Sequence, residues 1–204
     1  MAWQGAGGAP LSATSALQRA GCTGNQTMHG SQAPEMKVQG DGTHSETLEQ
    51  EAARAGVSYI KLGGAIGCLA NGTQLAMTMK SLLEDLGGCP AVFVDIQGAA
   101  DDNTVGRAIE LLLSDPDVKV AWLSFSGAAL RCDAVARALL GVVRERRRPV
   151  PFVVSLQGSN AEEARQLLTS GPMTLMLEPD LERAARLAVA SSGVPASRRR
   201  GTAH

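Results

Sequence analysis

The sequence predicts an α/β protein built on a doubly wound parallel sheet of five strands. Five short apolar runs alternate along the chain with longer segments whose apolar residues recur every three or four positions. Near-continuous apolar runs are typical of strands covered on both faces, and the second pattern is typical of helices that pack on a sheet. The 204 residues are 44% hydrophobic and 19% charged, so the chain can bury a core.

The first predicted elements are a helix, a strand and a second helix. Ser45 is a suitable N-cap and Gly56 a stop signal, so we predict a helix between them. The run 57–62 is predicted as a strand, and residues 63–70 as an irregular segment. The second helix is predicted to be capped by Asn71 and ended by a glycine pair.

The rest of the body repeats a strand, a loop and a helix. The predicted pairs are 90–96 with 102–114, 118–125 with 130–145, 151–156 with 161–170, and 173–177 with 180–190. Right-handed crossovers arrange such units in a flavodoxin-like fold.

The two ends of the chain differ from this body. Residues 1–44 show no hydrophobic period and are rich in turn formers, and their first 34 residues contain Arg19 but no acidic residue. We therefore predict a disordered leader or a transit segment. Residues 45–190 form the predicted domain and residues 191–204 a basic tail. The body left between these ends is mildly acidic, which argues against binding to a nucleic-acid backbone.

Cysteine and aromatic usage exclude further classes of function. The four cysteines lie far apart, without a CxxC motif or a Cys/His pairing, so we predict neither a metal site nor a disulfide framework. Aromatic residues make up 3% of the chain, too few for a base-stacking surface. No apolar run is long enough to predict a membrane span.

Four loops of small residues are predicted at the carboxyl ends of the strands, where parallel sheets bind ligands. They read GGAIGCLANG, QGAA, SGAA and QGSN, and each precedes a helix. Their backbone N–H groups and the helix dipole suit an anion. Neither glycine-rich nucleotide fingerprint occurs. The spacing leaves anion binding and close packing as alternatives.

Several motifs occur together in a recognisable order and spacing. They read YIKLGGAIGCLANG, LAM, LLSDPDVK, RCD and VPFVVSLQGSNAEEA. In these motifs the chain resembles, from about Glu46 to about Ala190, the C-terminal domain of the β subunit of succinyl-CoA ligase. That family interconverts succinyl-CoA and succinate, coupled to a nucleoside triphosphate, through a phosphohistidine of the α subunit.

The resemblance implies a role without catalytic side chains. The family's β domain supplies the second of two helix N-termini that hold the phosphate, and it makes most of the contact with the α subunit, the expected partner. The histidines of this chain, His29, His44 and His204, are predicted outside the folded body, in agreement with a β-type role. ATP or GTP with Mg²⁺, and CoA, are implied for the complete enzyme, and no cofactor is expected on this chain alone.

The resemblance also carries site residues to this sequence. Asn71 matches the family's substrate-contacting asparagine, a role that is compatible with that of a helix N-cap. Three further substrate contacts match the family's GGIVRC corner, namely Ala128, Ala129 and Leu130. Ser126 and Gly127 form the implied phosphate corner.

The residues that follow this corner have a structural interpretation. Arg131 and Asp133 are predicted to form a local ion pair in the first turns of a helix. Cys132 is predicted to be a small buried packing residue.

Three loops depart from the family pattern. The second glycine of the phosphate corner is Ala128, the family's GGGA reads QGAA, and its LDGNIG reads LGGAIG. These changes lie at the functional edge, whereas the strands and helices keep the family pattern. That distribution is expected of a scaffold that keeps its fold and partner with relaxed catalysis.

Two functions follow from the resemblance. The first is a β-type component of a succinate–CoA ligase in the tricarboxylic acid cycle. The second is a non-catalytic α-subunit-binding or regulatory module, or a truncated product, because nothing before Glu46 resembles the family's ATP-grasp domain. We expect no phosphorylation by this chain alone. The register of the motifs disfavours an unrelated anion binder, and the pathway implies the mitochondrial matrix in a eukaryote and the cytoplasm otherwise.

Overall fold

The computed structural model describes residues 42–97, 102–145, 149–171 and 175–193. Its helices are α1 (Gly42–Arg54), α2 (Thr73–Asp85), α3 (Asp102–Ser114), α4 (Cys132–Glu145), α5 (Ala161–Thr169) and α6 (Leu181–Ser191). Its strands are β1 (Ser58–Lys61), β2 (Ile66–Ala70), β3 (Pro90–Asp95), β4 (Val120–Arg131), β5 (Phe152–Ser159) and β6 (Leu175–Leu177).

The six strands form one mostly parallel sheet in the order β1-β3-β2-β4-β5-β6. The predicted α/β class with a doubly wound sheet is confirmed, but the predicted count of five parallel strands is wrong. The additional strand is β2, which lies in the segment 63–70 that is predicted as irregular. It is completely buried between β3 and β4, so Gly67 and Ala70 form part of a central strand despite their low strand propensity.

The strand β1 runs antiparallel to β3 and forms one edge of the sheet. Only residues 62–65 connect β1 to β2, whereas a parallel crossover needs about a dozen residues or more. Because the short link stays at one edge of the sheet, β1 and β2 must run in opposite directions. The link crosses the start of β3, where the N–H of Gly64 donates to the Pro90 carbonyl oxygen at 2.9 Å.

Helices cover both faces of the sheet with separate apolar cores. The cluster on one face contains buried residues of α1, α3, α4 and α5, whereas the cluster on the other contains those of α2 and α6. Trp122, in the middle of β4, is fully buried in the second cluster. Among the described helices none is long and apolar enough to cross a membrane.

Element boundaries differ from the predicted ones at the start of the domain. The helix α1 begins at Gly42, three residues before the predicted N-cap Ser45, and it therefore includes His44. The prediction that all three histidines lie outside the folded body is wrong for His44. Most of the predicted leader and the basic tail lie outside the described residues.

A buried carboxylate lies at the edge of the sheet where the parallel strands begin. Asp115, in the link between α3 and β4, is 1% exposed. Its carboxylate accepts from the Tyr59 hydroxyl at 2.9 Å and from Lys61 Nζ at 2.5 Å. Asp117 accepts from the same Nζ at 2.6 Å. These contacts join the antiparallel strand β1 to the link between α3 and β4.

We expect the free energy of unfolding to fall as the pH rises above about 10, the ordinary pKa of tyrosine. Burial, and next the hydrogen bond to Asp115, raise the pKa of Tyr59 far above that value. Burial alone lowers the pKa of Lys61, but its hydrogen bonds to Asp115 and Asp117 raise it overall. The native state therefore keeps protons that the unfolded chain has lost, and its stability decreases with rising pH.

Denaturant unfolding at increasing pH measures this loss, which Tyr59→Phe should reduce. The chain contains one tyrosine, so the absorbance of tyrosinate reports Tyr59 alone. A folded chain that forms tyrosinate at about pH 10 would contradict the expectation.

Candidate functional site

The carboxyl ends of β2, β3, β4 and β5 lie at one edge of the sheet, the edge at which parallel sheets bind ligands. Among the polar side chains at this edge that bond to neighbouring elements, three are central to its geometry. Asn71 follows β2, Asp95 ends β3, and Asp133 lies in the first turn of α4. Together they determine how the loops of this edge are held.

The side chain of Asn71 extends the pairing of β2 with β4. Its Nδ2 donates to the Ser126 carbonyl oxygen at 2.8 Å, and its Oδ1 accepts from the Ser126 N–H at 2.8 Å. The backbone pairing ends with Ala70 opposite Ser124, because the chain then turns into α2. Since a side-chain amide has the donor and acceptor groups of a peptide, Asn71 replaces the pairing that the turn removes. The predicted N-cap role of Asn71 is wrong, because the N-cap residue is Gly72.

Asp95 supplies a cap for α2 from the neighbouring strand. Its Oδ1 accepts from the N–H groups of Gly72 at 2.7 Å and Gln97 at 3.1 Å, and its Oδ2 accepts from the Thr73 hydroxyl at 3.1 Å. The N–H groups at the start of a helix need such partners. Sequence reasoning missed Asp95, whose only signal is an acidic residue at the end of an apolar run.

The strand β4 continues beyond the predicted corner and contains a bulge. Gly127 pairs with Gly158, and the next pair joins Arg131 to Ser159, so residues 128–130 are extra on one strand. We call residues 128–130 the β4 bulge. Gly127 enters it with a φ of 133°, which favours glycine. A Cβ on Gly158 would lie 2.8 Å from the Gly127 carbonyl oxygen, so two glycines allow the strands to approach here.

Asp133 is a buried carboxylate next to the end of this bulge. Its side chain is 1% exposed and accepts from Nη2 of Arg131 at 2.7 Å and Nη2 of Arg137 at 2.6 Å. It also accepts from Nδ2 of Asn160 at 2.9 Å. Hydrogen bonds from Arg131, and next from Asn160, hold the pKa of Asp133 well below its usual range. The predicted ion pair of Arg131 with Asp133 is confirmed, and Arg137 adds a second guanidinium group to the same carboxylate.

The model of the CoA-ligase family matches residues 69–189, which is more than half of the chain. This chain belongs to the CoA-ligase family. The matched range runs from the end of β2 into α6, so it includes every residue of the carboxyl edge described above.

Curated relatives of this CoA-ligase domain are β subunits of ADP-forming succinate–CoA ligase. The Zymomonas mobilis protein is 39% identical over 158 residues, which cover 78% of this chain and 40% of that protein. The mitochondrial protein of Neurospora crassa is 40% identical over 154 residues, which cover 76% of this chain and 34% of that protein. The chain thus spans two fifths or less of the length of these relatives.

Solved structures share the fold at low sequence identity. The ATP citrate lyase of Methanothrix soehngenii, solved with citrate and coenzyme A, superposes with a TM-score of 0.58 at 15% identity. The superposition covers 77% of this chain and 44% of that one. This likeness supports the flavodoxin-like architecture of the CoA-ligase domain.

The structure brings the predicted site residues of the CoA-ligase domain together at the carboxyl edge. Asn71 bonds to Ser126, and Gly127 leads directly into the β4 bulge. The side chain of Leu130 is 4% exposed and packs in the core, so only its backbone can contact a ligand. Substrate contact by Asn71 and by the β4 bulge, and phosphate binding at residues 126–127, stay predictions.

The start of α4 differs from the predicted one. The helix begins at Cys132 and not at residue 130, because Arg131 still pairs with Ser159 in the sheet. Cys132 is 0% exposed, which confirms its predicted packing role.

Residues 98–101, which contain most of the QGAA loop, lie outside the described residues. In the described ranges no group of three or more His, Cys, Asp or Glu side chains is placed to hold a metal ion.

We expect the stabilising contribution of Asp133 to disappear in acid. An exposed aspartate has a pKa of about 3.9, and the pKa of Asp133 lies below that value in the folded domain. The contribution is therefore complete above about pH 4 and is lost as the pH falls through the folded-state pKa. Urea unfolding should show wild type more stable than Asp133→Asn at neutral pH and the two converging in acid. A difference that stays constant with pH would contradict this reasoning.

Proposed function

We propose that this domain is a β-type component of a succinate–CoA ligase of the tricarboxylic acid cycle, and that it acts with an α subunit. The supporting observation is the identity of 38–40% with β subunits of that enzyme over about three quarters of the chain. These relatives include bacterial proteins and a mitochondrial one. The domain accordingly belongs in the mitochondrial matrix of a eukaryote or in the cytoplasm of a bacterium.

In the proposed enzyme, the residues of the carboxyl edge contact the phosphate and the substrate. The backbone of Gly127 and of the β4 bulge offers N–H groups to a phosphate carried by the α subunit, whereas the N–H of Ser126 is used by Asn71 and positions this corner. The guanidinium groups of Arg131 and Arg137, which lie beside the end of the bulge, favour an anion nearby. Asn71 keeps one amide hydrogen beyond its bond to Ser126, and this hydrogen can donate to a substrate carboxylate.

ATP or GTP with Mg²⁺, and CoA, belong to the complete enzyme. The residues described here contribute backbone donors and one amide, and none of them is a nucleophile or a general base. The phosphohistidine of the partner supplies the phosphoryl group. This division of labour agrees with the carboxylates of Asp95 and Asp133, which are already occupied by hydrogen bonds within the domain.

A non-catalytic module that only binds the α subunit is the second candidate. It is favoured by Ala128, which places a methyl group where the family's corner has a glycine. A methyl group at a close-approach position narrows the space for a phosphate. The two candidates share the partner and differ in turnover.

The first experiment is co-expression of the chain with the α subunit of Zymomonas mobilis. A stable complex is expected for both candidates, with the full-length β subunit of that organism as the positive control. No complex with the α subunit would overturn both.

A half-reaction separates the two candidates without the nucleotide-binding part of the enzyme. The α subunit is first phosphorylated on its histidine with phosphoramidate, and succinate and CoA are then added to the complex. Transfer of the phosphoryl group to a succinate oxygen, followed by displacement of phosphate by the CoA thiolate, yields succinyl-CoA and inorganic phosphate. Formation above the level of the α subunit alone supports the ligase component, and Ala128→Gly should raise the rate. Its absence in both variants supports the non-catalytic module.

A further inference from the structure

We propose that Asn71 and Asp133 are positioning residues that hold the β4 bulge from its two ends. Asn71 acts on the strand before the bulge through Ser126, and Asp133 acts on the residue after it through Arg131. The proposal rests on the proposed function, because that function assigns the bulge to the phosphate and substrate.

The first end of the bulge needs support because β2 stops early. Ser126 pairs with Gln157 of β5 on one side, but β2 has no backbone partner for it on the other side. The reciprocal hydrogen bonds of Asn71, both 2.8 Å long, fill that place. Without them, the last residue before Gly127 keeps neighbours on one side only, and the entry to the bulge loosens.

The second end is held by the carboxylate of Asp133. Arg131, the first residue paired after the bulge, donates to it from Nη2 at 2.7 Å and from Nε at 3.3 Å. Asn160, which follows β5 with a φ of 59°, donates at 2.9 Å. One buried carboxylate therefore fixes the end of the bulge relative to the neighbouring strand.

Asp133 is itself immobilised by the helix that carries it. Val135, Ala136 and Leu139 of α4 are at most 1% exposed and belong to the larger apolar core. Arg137, one turn after Asp133, donates to the same carboxylate oxygen as Arg131. The position of the bulge is thus set by the packing of α4, so the bulge has its shape before any ligand arrives.

The chain contains a matched control at the opposite edge of the sheet. Asp115 is equally buried, at 1% exposed, and also binds a cationic side chain, that of Lys61. Its carboxylate accepts hydrogen bonds from Tyr59, Lys61 and the N–H of Asp117, which lie away from the β4 bulge. A substitution of Asp115 therefore removes a comparable interaction without touching the proposed site.

Amide hydrogen exchange of the full chain tests the proposal directly. Asn71→Ala and Asp133→Asn should each accelerate exchange of the amides of residues 127–131 by about tenfold relative to the rest of the sheet. Asp115→Asn should lower global stability without this selective change. Asn71→Asp keeps the acceptor for the Ser126 N–H but turns a carboxylate oxygen towards the Ser126 carbonyl oxygen, so it should also accelerate exchange at the bulge.

Arg131→Met is the second test at the Asp133 end. The side chain of Arg131 is 64% exposed, so its replacement changes the surface and not the core, and the variant should fold. It should accelerate exchange at the bulge as Asp133→Asn does. If neither variant changes the exchange of the bulge relative to Asp115→Asn, the role of Asp133 is overturned, and the same outcome for Asn71→Ala overturns the role of Asn71.

The complex with the α subunit tests whether this order serves the reaction. Asn71→Ala and Asp133→Asn should lower the rate of the half-reaction about tenfold while leaving the affinity for the α subunit within about twofold. Equal rates for these variants and for wild type would overturn the positioning role. If wild type binds no α subunit, the proposed function fails, whereas hydrogen exchange still decides whether the two residues hold the bulge.

Discussion

Gly64→Ala is expected to lower the free energy of unfolding by about 3 kcal/mol or to prevent folding. A Cβ at this position would lie 2.2 Å from the Cys89 carbonyl oxygen and 2.6 Å from the Pro90 carbonyl oxygen. Both atoms belong to the backbone at the start of β3 and cannot rotate away. The link between β1 and β2 must then lift from β3, which breaks the hydrogen bond from the Gly64 N–H.

Gly106→Ala is the control for this substitution. Gly106 lies in the interior of α3, and a Cβ there would meet no atom within 4 Å. Because glycine is a poor helix former, this variant is expected to gain about 0.5–1 kcal/mol. Denaturant unfolding measures both variants. Similar effects of the two substitutions would show that the crowding at Gly64 relaxes without cost.

Asp115→Ala is expected to lower the free energy of unfolding by about 3 kcal/mol. The substitution leaves the Tyr59 hydroxyl without its acceptor and removes the nearest carboxylate from Lys61. It also weakens the attachment of β1 to the link between α3 and β4, because Lys61 then binds this link through Asp117 alone. An amide at the same position, Asp115→Asn, should cost less because it keeps an acceptor.

Asp117 provides the comparison, because its side chain also binds Lys61 but is 53% exposed. Exposed ion pairs contribute little, so Asp117→Ala should cost less than about 1 kcal/mol. The double variant Tyr59→Phe with Asp115→Ala should lose less than the sum of the single variants, since both remove the same hydrogen bond. Additive losses would show that Tyr59 and Asp115 act independently.

Much of the fold follows from hydrophobic pattern alone. The strands β3 and β5 and the helices α3, α5 and α6 are predicted to within a few residues, since their apolar residues follow the period of the element, whereas β4 ends six residues after its predicted end. The central strand β2 is missed because its residues, IGCLA, include no run of β-branched or aromatic residues. Its strand conformation is imposed by β3 and β4, which pair with it on both sides.

The candidate site is predicted in part. Asn71 and residues 126–130 are found from the sequence, and the structure brings them together, but the bond that joins Asn71 to Ser126 spans 55 positions and has no local signal. Asp95 and Asn160 are missed for the same reason, since each bonds to a residue of another element. The bulge is also not visible in the sequence, because it depends on the register of β4 against β5.

The short antiparallel strand β1 has a consequence for how this domain can associate. Strand addition by a partner or by a second copy needs a long unpaired edge. The edge strand β1 has only four residues, Ser58–Lys61. An edge this short offers few unpaired N–H and C=O groups, so a partner gains little by extending the sheet on the β1 side. The same shortness protects that side from the edge-to-edge pairing that leads to aggregates.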